Sequence, residues 1–179
     1  MDRFSAYLLV RRHLRRPDSR NQALTVEAVM EQIASHLDQV PHRWGVLGLL
    51  SQLDLEYSEQ NPGTRGVTAR QQAELEGLDP SEAIHLERWC RHLRQAPGPR
   101  AADALAPVEL GLLLSTILAE HLQPGGSKRS LAHDLELMRG RGDTEGNHLD
   151  LTLDQLGIEV EAAAEITLEA LNRIAQDLR

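Results

Sequence analysis

Apolar residues recur at helical spacing along most of this 179-residue chain, and no stretch alternates apolar and polar residues as a half-buried strand does. Between residues 21 and 37 the apolar positions lie mostly four residues apart, at Leu24, Ala28, Val29, Ile33 and Leu37. Near the end of the chain the same spacing returns at Ile166, Ala170, Ile174 and Leu178. This periodicity predicts an all-α fold.

Prolines, glycines and capping residues divide the chain into helices. Asp2 is placed to cap a first helix that ends before Pro17. The inward face of that helix is predicted to consist of Phe4, Tyr7, Leu8 and Leu14. Further helices are predicted over about 21–37, 42–55, 66–76, 80–94, 108–122, 127–138, 149–156 and 160–179, with polar loops over about 58–65 and 139–148. The segment 46–50 is apolar on every side, which is typical of a helix deep in a core, and 108–122 is another strongly apolar helix.

A chain of this length can bury one sizeable core, so we expect a single domain over residues 1–179. Residues 1–94 contain the apolar helices of that core. Residues 95–107 are rich in proline and alanine and are predicted to form a linker or a surface loop. Residues 108–179 supply C-terminal helices that pack on the core.

The composition excludes several classes of protein. With 19 basic and 27 acidic residues the net charge is −8, and aromatic residues make up only 3%, so we expect no binding of nucleic acid. No apolar run reaches the roughly 20 residues that a membrane-spanning helix needs, so we expect no membrane contact. Cys90 is the only cysteine, which excludes an internal disulfide and a cysteine-rich zinc site and favours a cytoplasmic setting.

Two segments carry a family resemblance: QALTVEAVM at residues 22–30 and WGVLGLLSQLD at residues 44–54. Together they resemble the HD-domain superfamily of metal-dependent phosphohydrolases, and within it the small bacterial HDIG-type hydrolases. The similarity covers residues 4–94 well and residues 108–179 loosely. It implies an HD-like helical bundle.

The residues that hold metal in the resembled family are replaced in this chain. The family's first ligand histidine falls on Gln22, and its His-Asp pair falls on Ser51 and Gln52. Some members of the family have a further histidine, which would fall between residues 61 and 65 of this chain. No histidine occurs there, and Arg65 is the residue expected at the cavity. The family's last histidine falls on Glu87. The resemblance therefore includes the helical framework but not the metal-ligating residues.

The late aspartate of the family has no counterpart either, because no aspartate occurs between Asp103 and Asp134, and Thr116 or a neighbour takes its place. Amide and hydroxyl groups are poor replacements for the imidazole and carboxylate donors that divalent metals require. We therefore expect neither a metal nor another cofactor. The literal pair His133-Asp134 lacks the apolar run that precedes the family's pair, and we interpret it as part of a solvated helix.

Asp54 is the one acidic group retained from the family's motif. On the resembled framework, Asp54, Arg65 and Glu87 converge on the former metal cavity. Two interpretations stay open: Arg65 pairs with the carboxylates and fills the cavity, or it binds a phosphate or carboxylate ligand. The predicted ligand pocket consists of Gln22, Ser51, Gln52, Asp54, Arg65 and Glu87.

The expected function is that of a catalytically degenerate HD-domain protein that binds a small polar or anionic ligand or a protein partner, with a homo-oligomer left open. The alternative is a hydrolase or other enzyme that reuses the cavity. In one version, unusual ligands such as Asp54, His85 and Glu87 retain phosphohydrolase activity. In the other, Asp54 or Glu87 acts as a general base without metal.

Overall fold

The computed structural model describes residues 1–93, 105–120 and 127–177. Within these ranges the chain contains helices and no strand, so the all-α prediction is confirmed. A short 3₁₀ turn, Pro62–Thr64, lies between the fourth and fifth helices. In chain order the helices are α1 (Arg3–His13), α2 (Pro17–His36), α3 (Pro41–Ser51), α4 (Leu55–Gln60), α5 (Val67–Leu75), α6 (Pro80–Leu93), α7 (Pro107–Glu120), α8 (Lys128–Arg139), α9 (Thr144–Leu156) and α10 (Val160–Asp177).

Local chemistry explains where several helices begin and end. Asp2 caps α1, because its carboxylate accepts the backbone N–H of Ser5 at 2.9 Å. Pro17 and Pro41 occupy the first turns of α2 and α3, where a missing N–H costs no hydrogen bond. Ser127 caps α8, and Gly157 ends α9 in the left-handed conformation.

Some boundaries and one face differ from the prediction. The predicted third helix stops at Ser51 and a separate helix follows, while the second half of the predicted loop 139–148, from Thr144 onward, belongs to α9. On α1 the predicted inward residues Phe4 and Leu8 are exposed, and Ala6, Leu9 and Val10 are buried instead, while Leu14, just after the helix, is buried as predicted. A helix with apolar residues on several sides does not indicate by itself which side faces the core.

The core consists of two apolar clusters that share helices. One is built mainly from α2, α7, α8, α9 and α10, and the other from α1, α3, α5 and α6. Helices α2, α3 and α6 contribute to both, since Trp44 and Trp89 lie in the first cluster while their helix neighbours Leu47 and Leu86 lie in the second. These shared helices carry the candidate site.

Small residues allow α2 and α3 to pack closely and fix their register. A Cβ atom on Gly48 would lie 3.0 Å from the carbonyl oxygen of Val26, and one on Gly45 would lie 2.5 Å from the side chain of Glu31. Later residues of α3 thus face earlier residues of α2, so the two helices are antiparallel. Extending this register by one turn brings Gln22 level with the end of α3.

The predicted linker 95–107 lies outside the described residues up to position 104, and α7 begins at Pro107. The burial pattern places α7 deep in the core, as its composition predicts, with Leu112, Leu113 and Leu114 fully buried. None of the helices in the described ranges combines the length and apolar character that crossing a bilayer requires.

Candidate functional site

A buried chain of hydrogen bonds occupies the end of α3, where the resembled family has its His-Asp pair. Ser51 Oγ donates to the carbonyl oxygen of Gly48 at 2.7 Å, and Gln52 Nε2 donates to Ser51 Oγ at 3.0 Å. Arg65 Nη2 then donates to Gln52 Oε1 at 2.9 Å. Ser51 and Gln52 are fully buried. We call the side chains of Ser51, Gln52 and Arg65 the Gln52 network.

Asp54 acts as a helix cap for α5. Its Oδ2 accepts the backbone N–H of Gly66 at 2.7 Å and that of Ala69 at 3.0 Å. Gly66 precedes the first residue of α5 and has no side chain with which to cap it. It must be glycine, because its φ is +80° and a Cβ would lie 2.7 Å from the carbonyl oxygen of Leu86. A carboxylate from the α3–α4 junction therefore takes over the capping role.

The other carboxylate oxygen of Asp54 is left without a protein partner. Asp54 is 2% exposed, and its Oδ1 is buried with no hydrogen bond to any described residue. Burial raises the pKa of the Asp54 carboxyl, although the N–H groups of Ala69 and Gly66 and the positive charge of Arg65 oppose that rise. Asp54 therefore has acceptor capacity that the cap does not use.

Glu87 does not join this network, although one of the two open interpretations paired it with Arg65. Its carboxylate is bound by Arg70 Nη1 at 3.0 Å and by Arg91 Nη2 at 2.6 Å. The backbone of Glu87 is nevertheless close to the network, since a Cβ on Gly66 would lie 3.2 Å from Glu87 Cα. Arg70 lies on α5 and Arg91 is one turn further along α6, so the Glu87 carboxylate is shared by these two arginines.

Two further predicted positions, Gln22 and Thr116, take no part in these contacts. Gln22 is half-buried on α2, and its side chain makes no hydrogen bond to the described residues. Thr116, near the place of the family's late aspartate, is buried and donates its hydroxyl to the carbonyl oxygen of Leu112 at 2.9 Å. His133 and Asp134 are exposed on α8, in agreement with their interpretation as a solvated face.

A second polar cluster, around Glu109 on α7, was not predicted from the sequence. Glu109 is fully buried, and its carboxylate lies 2.7 Å from His85 Nδ1 and 3.3 Å from Arg88 Nε. It also accepts the backbone N–H of Ala106 at 3.0 Å, which caps α7. Burial pushes the pKa of Glu109 upward, but His85, the Ala106 N–H and Arg88 outweigh it and hold that pKa below its usual value.

Of the contacts that form this cluster, only the cap of α7 has a signal in the sequence. Pro107 followed two residues later by Glu109 is a pattern typical of a helix start, and it could have identified the cap. The contact with His85 joins α7 to α6 and has no local sequence signature. His92 lies two turns after His85 on α6, and burial lowers its pKa by more than the negative charge of Glu109 raises it.

Two clefts of ligand size open beside these elements. The first, which we call the Asp54 cleft, has a volume of about 500 Å³ and is lined by Arg12, His13, Arg15, Asp54, Tyr57 and Thr68 among others. The second, the α2 cleft, has a volume of about 470 Å³ and is lined by Arg3, Tyr7, Leu24, Glu27, Glu31 and Arg173 among others. Both volumes fall in the range of about 300–1,000 Å³ that is usual for small-molecule sites.

The charges of the α2 cleft are matched within the protein. Arg3 binds Glu27 through two hydrogen bonds, of 2.6 and 3.0 Å, and Arg173 binds Glu31. Burial raises the pKa of Glu27, and Arg3 opposes that rise. These pairs join α1 and α10 to α2.

Within the part of the chain that the structure describes, no group of three or more His, Cys, Asp or Glu side chains is arranged to hold a metal ion. No family model, curated protein or solved structure matches this chain. The function is therefore argued from the geometry of the site.

Proposed function

We propose that this chain is a non-catalytic binding module on an HD-like helical scaffold, in which hydrogen bonds between side chains replace the metal of the resembled hydrolases. The Gln52 network carries the proposal. Hydroxyl, amide and guanidinium groups bond to one another where the family has ligand donors. A guanidinium cannot ligate a cation and adds a permanent positive charge to the place where one would lie.

The module would bind a small polar or anionic ligand or a protein partner in a cytoplasmic setting. The two ligand-sized clefts support the small-ligand form of this proposal. Filling the old cavity with a bonded network removes the Lewis acid and the activated water together, so binding without turnover is the activity that remains.

Metal analysis of the purified chain tests the proposal. The wild-type protein is dialysed against Mn²⁺, Fe²⁺, Ni²⁺ or Zn²⁺ and then against buffer, and bound metal is measured by mass spectrometry. The matched variant combines Gln22→His, Ser51→His and Gln52→Asp, which restores three donors of the resembled family. We expect metal well below stoichiometry in the wild type and a gain in the variant.

Near-stoichiometric metal in the wild type would overturn the proposal. A folded triple variant that gains no metal would show that the three positions do not form an HD-type site, and the HD-like assignment would fail.

A second candidate function is that of a metal-free enzyme. The burial and the pKa of Asp54 favour it over a phosphohydrolase with unusual metal ligands. Asp54 is buried, lines a cleft and has a raised pKa, as a general base or acid often does. Glu87, the other predicted base, is held by two arginines. A screen of nucleotides and phosphomonoesters with and without chelator tests this candidate, which requires chelator-insensitive turnover that Asp54→Asn abolishes.

A further inference from the structure

The outward side of α1 carries large apolar side chains. Phe4 is 69% exposed, and Leu8, one turn later, is 45% exposed. The opposite side of the helix, with Ala6, Leu9 and Val10, is buried. Apolar residues on both sides of a helix are typical of one that is covered on both sides. Among the described residues, only the side with Ala6 and Leu9 is covered.

Charged residues of opposite sign lie at the two ends of this apolar pair. Asp2 is exposed at the start of α1 and caps the helix. Arg11 is exposed near its end, and it forms no ion pair with any residue in the described ranges. With 3.6 residues per turn, Phe4, Leu8 and Arg11 lie within about 60° of one another around the helix axis. We call Asp2, Phe4, Leu8 and Arg11 the exposed row, which runs acid, apolar, apolar, base along the chain.

The exposed row is complementary to itself when it is reversed. In an antiparallel pair of α1 helices, Phe4 of each copy lies opposite Leu8 of the other, because this pair is centred on residue 6. Asp2 then lies opposite Arg11, since that pair is centred between residues 6 and 7. A two-fold axis makes each of these contacts twice. A parallel pair would place Arg11 against Arg11 and Asp2 against Asp2, and like charges that face each other disfavour association.

The surroundings of the exposed row also fit a second copy. Arg3 and Arg12, beside it, pair with Glu27 and Glu76 within the chain, so they add little repulsion between two copies. Leu75 adds apolar area, because it is 79% exposed and directly precedes Glu76, which accepts a hydrogen bond from Arg12 at 2.7 Å. Three exposed apolar side chains provide less than the roughly 800 Å² per partner of a standard stable interface, so a weak dimer is expected.

We propose that this chain forms a weak symmetric dimer in which the exposed rows of two α1 helices pack antiparallel. Burial of Phe4 and Leu8 provides the attraction, and the pairs of Asp2 with Arg11 fix the direction. No residue of the exposed row lines the Asp54 cleft or the α2 cleft. Dimerisation through this row is therefore a property separate from ligand binding in either cleft.

Sedimentation velocity of the full chain over about 5–500 μM tests the dimer. Phe4→Ser removes one apolar contact, and Leu137→Ser is its control, because Leu137 is 55% exposed on α8. We expect a dissociation constant on the order of 100 μM for wild type, a rise of about tenfold for Phe4→Ser and a change below about twofold for Leu137→Ser. Both side chains are exposed, so both variants should keep the wild-type urea midpoint.

An exchange of charges tests the antiparallel direction. Arg11→Glu leaves an acid at both ends of the row, and Asp2→Lys leaves a base at both ends, so each variant alone should associate about tenfold more weakly than wild type. A mixture of the two variants places each acid opposite a base, and we expect its dissociation constant to lie within about threefold of the wild-type value. The mixture also controls for the cap that Asp2→Lys loses, because a variant that does not fold could not associate with its counterpart.

A wild type that stays monomeric at about 500 μM, or equal weakening by Phe4→Ser and Leu137→Ser, would overturn the inference. A dimer that the mixture of charge variants does not restore would overturn the antiparallel arrangement. Flotation with vesicles of phosphatidylserine and phosphatidylcholine tests another occupant of the exposed row. A monomeric chain that binds these vesicles through Phe4 would assign the row to a lipid surface and overturn the dimer.

Discussion

Replacing Asp54 distinguishes a helix cap from an ion-pair partner of Arg65. Asp54→Ala leaves the buried N–H groups of Gly66 and Ala69 without an acceptor. Loss of a cap costs about 0.5–2 kcal/mol, and an unsatisfied buried polar group costs about 1–3 kcal/mol. Removing a buried carboxylate recovers part of its desolvation cost, so we expect a net loss of about 2–3 kcal/mol in the free energy of unfolding.

Asp54→Asn is the matched variant, because its amide oxygen can accept the same two N–H groups while the charge is gone. If capping is the main contribution, this variant loses less than about 1 kcal/mol. Urea unfolding followed by tryptophan fluorescence measures both variants, since Trp44 and Trp89 are buried in the first apolar cluster. Equal losses for the two variants would refute the capping argument and assign the effect to attraction between Asp54 and Arg65.

The pH dependence of the same pair provides a second measurement. Because burial raises the pKa of Asp54, the folded protein holds this proton more tightly than the unfolded chain does. The stability that the folded protein gains by holding the proton of Asp54 is fully present below the ordinary pKa of 3.8. It is lost as the pH rises through the raised pKa that Asp54 has in the folded protein. The stability of wild type relative to Asp54→Asn should therefore fall as the pH rises above 3.8. A difference that grows with pH would contradict the raised pKa.

Three further variants test the packing and the other buried carboxylates. Gly66→Ala should cost about 2–4 kcal/mol, because positive φ and a backbone clash combine, whereas Gly77→Ala, at positive φ in open space, should cost about 1 kcal/mol; urea unfolding compares them. Glu109→Gln should lose about 1–3 kcal/mol at neutral pH. That loss should vanish as the pH falls from 4.5 through the lowered folded pKa, and a loss that persists in acid would contradict the pairing. Arg173→Ala leaves a nearly buried glutamate unpaired and should lower stability by about 1–2 kcal/mol, while Lys128→Ala, at an exposed pair, should leave the urea midpoint unchanged.

Helix starts carry local signals. Pro17, Pro41, Pro80 and Pro107 each stand at the first position of a helix, where fixed φ and a missing N–H are harmless. The predicted starts at 42, 80 and 108 lie within one residue of those of α3, α6 and α7, whereas α2 begins at Pro17 and not at the predicted residue 21. The face that a helix buries is a longer-range property. On α1, Phe4 is exposed because packing against α3 selects the opposite stripe.

The contacts of the candidate site were likewise predicted only in part. Ser51, Gln52 and Arg65 were predicted to line one pocket, and their side chains bond to one another. The partners of Glu87, Arg70 and Arg91, were not predicted, because the contact with Arg70 depends on how α5 and α6 pack. The pair of His85 and Glu109 was missed for the same reason, as it depends on how α6 and α7 cross.

Asp54 and Glu109 show why one buried carboxylate is a better candidate for function than another. Both cap a helix through backbone N–H groups. Glu109 also contacts His85 and Arg88, so both of its oxygens are engaged and its pKa is lowered. Asp54 has one engaged oxygen and one free oxygen, and its pKa is raised. A group whose hydrogen-bonding capacity is complete within the protein stabilises the fold, whereas Asp54 keeps a buried acceptor that the fold does not use.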